Sequence, residues 1–156
     1  MKRILSVTIT ALALALGLPA AAMAQSGHFV GTPVCTDKGT TVECKGKVAG
    51  LGGTTFRISV DAVGIADVQC ENPGGNVAPG QATTVRTSGT TGNMPTPRNG
   101  QYRFTVSTLD PNPLPSTPTC PNNQWTPHIV DVAFTSATLS LYEGNSLSDT
   151  ITVSVG

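Results

Sequence analysis

The chain is poor in the residues from which most sites are built. Charged side chains make up 12% of its 156 residues, about half the usual share, and aromatic ones only 4%. There are two histidines, one tryptophan and four cysteines. No basic stripe is present, which excludes nucleic acid as a partner. The sequence has no Asp-x-Asp-x-Asp run for calcium, no Gly-Lys-Ser/Thr phosphate loop and no Gly-x-Ser-x-Gly nucleophile elbow. Nothing in it asks for a cofactor, and the expectation is a non-enzymatic protein.

The first residues read as an export signal. Lys2 and Arg3 form a positive head, Ser6 to Leu18 is mostly apolar, and Ala22-Met23-Ala24 is a small-x-small cleavage pattern. The apolar run falls short of the ~20 residues a membrane-spanning helix needs, and no second one follows. The sequence therefore predicts a signal peptide over 1–24 and one domain over 25–156, secreted or periplasmic, with no membrane span after cleavage. The mature part carries 7 basic and 9 acidic residues.

Export makes the cysteines readable as two disulfides. Four cysteines allow three pairings. Cys35 and Cys44 flank the polar stretch Thr36 to Gly39 and could clip a hairpin, which would leave Cys70 with Cys120. The gaps between the cysteines do not match zinc spacing.

Composition points to sheet. The mature part has 21 Thr and 14 Val against 6 Leu, punctuated by 16 Gly and 11 Pro. From Thr54 to Cys70, Phe56, Ile58, Val60, Ala62, Ala66 and Val68 alternate with Arg57, Ser59, Asp61 and Asp67, a period-2 pattern with one buried face. Gly64 on that face predicts a bulge where the strand passes between sheets. Thr40 to Val48, Gln101 to Thr108, Ile129 to Thr135 and Leu147 to Val155 alternate likewise. Val130, Val132 and Phe134 are placed inward. A parity switch after Ser136 predicts a second bulge, and Glu143-Gly144-Asn145 a turn. Shorter strands are expected near His28 to Val34 and Ala82 to Thr87. Glu43, Lys45 and Lys47 look like the protection of an edge strand. The sum is an all-β, two-sheet antiparallel sandwich of immunoglobulin-like type with about eight strands, a closed barrel being the alternative.

Function is then left to the loops. Glu71 to Gln81 and the proline-rich Asp110 to Pro127 are long, irregular and adjacent to Cys70 and Cys120. Pro73 to Asn76 and Gly50 to Gly53 could each form a nest of N–H groups for an anion. Phe56, Tyr102, Phe104 and Phe134 read as core, which leaves Trp125 and Tyr142; Trp125 could be a lone platform for a ligand or could pack on a disulfide, and packing is the preferred reading. His128, with Asp131 on the following strand, reads as a surface histidine, and Asp61 and Asp67 as solubilising. The candidate ligand contacts are Asn72, Gly74, Gly75, Asn76 and Trp125. The partner would be an extracellular protein or a glycan, met by a binding or surface-structural module. The alternative is a small carbohydrate-binding domain, since sugars pack on aromatic faces.

The run Cys70-Glu-Asn-Pro-Gly-Gly-Asn76, followed by Ala78-Pro-Gly-Gln81 and later Cys120-Pro-Asn122, resembles a group of small secreted bacterial proteins of uncharacterised function. Lys47 to Gly52 looks like part of the same pattern, and the likeness runs from about Val42 to Tyr142. It implies one secreted domain and a Cys70–Cys120 pairing. It implies no activity and no functional residues.

Overall fold

The structure is a computed structural model and describes residues 26–156. The expected signal peptide, 1–24, lies outside the described residues. Among the described residues there are ten strands: β1 His28–Phe29, β2 Val34–Asp37, β3 Val42–Ala49, β4 Thr55–Glu71, β5 Val77–Pro79, β6 Thr83–Thr90, β7 Met94–Pro95, β8 Tyr102–Ser107, β9 Thr126–Glu143 and β10 Ser146–Ser154. They form a four-stranded sheet, with β3 between β1–β2 and β8, and a six-stranded sheet. In the second sheet β4 has β9 on one side and the short β5, β6 and β7 in succession on the other, with β10 beyond β9. Strand pairing within both sheets is antiparallel. The two inner faces enclose one core, in which Phe56, Ile58, Val60, Leu139 and Leu141 are almost completely buried. Phe56 meets Tyr102, and Phe29 meets Phe104, edge to face at ring centroid distances of 5.2 and 5.8 Å.

The sheets also meet along both sides. On one side Cys35 and Val155 form a parallel bridge, reinforced where the Gly156 N–H donates to the Cys35 carbonyl and the Asp37 N–H to the Gly156 carbonyl. On the other side the Leu109 N–H donates to the Ser88 carbonyl, and the Thr87 hydroxyl to the Leu109 carbonyl. Gly89 permits this approach: a Cβ there would run into the Ser107 carbonyl.

Four readings of the sequence need correction. β4 does not change sheets at Gly64; it pairs with β9 from Phe56 to Glu71. Gly64 instead faces Val132 and Phe134 at a bulge where Thr135 of β9 is the extra residue, and a Cβ on it would lie 2.6 Å from Val132 Cγ1. Val130 points outward, 44% exposed, because it is itself the extra residue of a second bulge opposite Asp67 and Val68. A third bulge at Ser148 turns Leu147 out to solvent. Finally, β3 is interior to its sheet, so Glu43, Lys45 and Lys47 guard no edge; Glu43 and Lys45 pair with each other at 2.8 Å.

The β4–β9 pair is longer than the opposite sheet. β3 begins at Val42, close to Val132 and Phe134 across the interior, since the Gly39 carbonyl and the Asp37 carboxylate accept from the N–H groups of those two residues. Val68 and Cys70 lie beyond that point and are nonetheless buried. Their cover is the proline-rich segment after β8, fastened by the Cys70–Cys120 disulfide and by the Gln81 N–H donating to the Thr119 carbonyl. Cys35 and Cys44 form the second disulfide, joining the paired strands β2 and β3.

Candidate functional site

Several carboxylates and glycines that look available in the sequence are committed to the fold. Glu143 ends β9 and is 1% exposed. Its Oε1 accepts the N–H groups of Gly52 (2.7 Å) and Gly53 (3.1 Å); its Oε2 accepts the Gly27 N–H (3.0 Å) and the Ser148 hydroxyl (2.8 Å). The Gly50–Gly53 nest thus does hold an anion, and the anion is the chain's own. Burial alone would raise the Glu143 pKa, but the bonds from Gly52, Ser148, Gly27 and Gly53 together outweigh it and hold the carboxyl below its ordinary value.

Asp149, the acid that interrupts the apolar series of β10, accepts the Phe29 N–H at 2.8 Å and so secures β1. Asp37 accepts the Phe134 N–H, displaced from its ladder by the Thr135 bulge, at 3.2 Å. Sequence reasoning missed all three roles. The one available signal was an acid standing in an otherwise apolar series, as Asp149 does.

The second candidate nest is filled in a different way. Asn72 Oδ1 accepts the N–H groups of Gly74 and Asn76, each at 2.9 Å, and the Asn72 carbonyl accepts that of Gly75. All three N–H groups are spent inside the loop, so it presents no free nest to an anion. Side chains and glycine faces are what it offers outward.

Asn72, Gly74, Gly75, Asn76 and Trp125 do come to one end of the molecule. Glu71 pairs with Thr126, so Asn72 and Trp125 follow and precede paired positions of β4 and β9. Trp125 is half-buried in the turn after Cys120, where its N–H donates to the Asn122 carbonyl. Tyr142 is at the far end of β9 and already carries the Arg57 guanidinium 4.2 Å above its ring. Trp125 thus stands at the loop end of β9 and Tyr142 away from it.

The same end holds a groove that sequence reasoning did not find. It has a volume of about 400 Å³, within the usual range of small-ligand clefts. Pro111, Pro113 and Leu114 form one wall, Pro127 and Ile129 the other. Thr40, Asp110 and His128 supply its polar groups, and the Thr40 hydroxyl donates to Asp110 Oδ1 at 2.6 Å. His128 Nε2 lies 3.5 Å from Glu71 Oε2 in an exposed pair, of the kind that contributes little to stability. The groove joins residues 40, 110–114 and 127–129, which only the fold brings together. Among the described residues, no group of three His, Cys, Asp or Glu side chains is placed to hold a metal ion. No helix among them is long and apolar enough to cross a membrane.

No protein-family model matches the chain, and neither does any curated protein. Among solved structures, it is similar to a glycosyl hydrolase family 2 member from Bacteroides cellulosilyticus, with 11% identity and a TM-score of 0.38. The match covers 84% of this chain and 14% of that one. What the chain is, on its own geometry, is a small disulfide-stabilised β domain of two sheets.

Proposed function

We propose that this domain is a non-enzymatic binding or surface-structural module of an exported protein, secreted or periplasmic, on an immunoglobulin-like sandwich. One observation carries the reading: the inward-reaching carboxylates Asp37, Asp149 and Glu143 are each engaged by backbone N–H groups of the fold, which supports contact at the Trp125 end. Two disulfides and no free cysteine suit an oxidising compartment. The resemblance through the Cys70 to Asn76 loop supports export alone.

A second reading is a small carbohydrate-binding domain, favoured by the position of Trp125 beside the Asn72–Asn76 loop. A pull-down from native envelope and culture medium, run with wild type and Trp125→Ala, tests both. Loss of a captured partner in a variant that still melts like wild type supports the binding module, and a captured polysaccharide supports the second reading. Equal capture by both proteins removes Trp125 from the interface.

A further inference from the structure

We propose that the groove between the Asp110–Leu114 segment and the start of β9 binds a sugar unit of a neutral glycan. The proposal deepens the carbohydrate reading and rests on it, but assigns the contact to residues that reading did not contain.

The groove's chemistry selects the ligand class. Its walls are proline rings, Leu114 and Ile129, which suit a compact C–H face. Its polar groups are an acceptor, Asp110; a group that donates and accepts, His128; and the Thr40 hydroxyl. An anion would meet the Asp110 carboxylate, with Glu71 just behind His128. A cation would find Asp110 already bonded to Thr40, Glu71 already paired with His128, and no Phe, Tyr or Trp face in the lining. A purely apolar ligand would cover Asp110 and His128 without replacing the water on them. A polyhydroxylated ring meets each requirement: its C–H face lies on the prolines and its hydroxyls reach Asp110 and His128. Thr40 holds one carboxylate oxygen at 2.6 Å, so Asp110 stands pre-oriented, its second oxygen without a hydrogen-bond partner among the described residues. Pro127 and Ile129 share one parity on β9 and Trp125 immediately precedes that strand, so a longer glycan could run from the groove toward the indole.

The test is amide chemical-shift mapping of the 26–156 domain, disulfides intact, against cellohexaose, xylohexaose, mannohexaose and chitohexaose, with spermidine as a cationic probe. Shifts at Thr40, Leu114, His128 and Ile129 with at least one oligosaccharide are expected, and Asp110→Asn should raise its Kd tenfold or more. Asparagine keeps the acceptor for Thr40, so this variant should fold; His128→Ala is the second variant, with a smaller loss expected. Shifts confined to Asn72–Asn76 and Trp125 would overturn the groove while leaving the carbohydrate reading intact. Shifts with spermidine alone, or with no probe at all, would overturn the neutral-glycan assignment.

Discussion

The Gly52 N–H donates to the Glu143 carboxylate at 2.7 Å, across 91 residues of sequence and onto a side chain that is itself almost completely buried. With Gly53, Gly27 and Ser148 it makes Glu143 the point where three separate segments are tied together.

Glu143→Gln should therefore destabilise the domain by about 2–4 kcal/mol in urea unfolding. An amide accepts on one side only, so its NH₂ would face either the Gly52 and Gly53 donors or the Gly27 donor. Stability should also depend on acid. The folded pKa of Glu143 lies below its ordinary value of 4.5, so its contribution is complete above that value and is lost as pH falls through the folded pKa. In the Gln variant this part of the acid dependence should be absent; identical pH profiles would refute the assignment.

The two disulfides should differ in what they contribute. They close loops with sequence separations of 9 and 50 residues. On the chain-entropy model, the shorter contributes about 2.6 kcal/mol and the longer about 4 kcal/mol. Replacing Cys70 and Cys120 together by alanine should lower the urea midpoint more than replacing Cys35 and Cys44. The long bridge also fastens the cover over Val68, which increases the contrast.

Gly89→Ala should cost about 2–4 kcal/mol, because the new methyl meets backbone at Ser107 and Thr108 rather than a side chain that could turn away. The Leu109 N–H, which donates to Ser88, should lose hydrogen-exchange protection first. Gly52→Ala, with open space around the site of its Cβ, should be far milder.

Asp149→Ala removes the acceptor of the Phe29 N–H. We expect faster exchange at Phe29 by tenfold or more, with the interior strand β3 unaffected at Cys44. A global loss of protection in its place would mean that β1 folds as one unit with the core.

Much of the sheet structure was legible in the sequence because alternation has a fixed period. Phe56 to Val68 marks its own inward face, and the parity change after Ser136 marks a bulge that exists one residue earlier, at Thr135. The second bulge was not legible. Val130 and Val132 keep the same parity on paper, and only pairing with Asp67 and Val68 shows that one of them is extra. The charges of β3 misled for a related reason: outward polar alternation looks the same on an edge strand and on an interior one with a solvated face. The candidate site divides similarly. That Asn72 and Trp125 share an end follows from loops flanking Cys70 and Cys120. The groove depends on Thr40, Asp110 and His128, which are far apart in the chain and carry no common motif.

The Glu143 tie has a consequence for how the domain would be displayed. Gly27 is held at the pole where β4 begins, whereas the Trp125 loop and the groove lie where β4 ends, the far end of a 17-residue strand. At strand rise this is a standoff of up to about 55 Å. A tether attached ahead of Gly27 would carry the groove at the far tip, facing away from whatever anchors it.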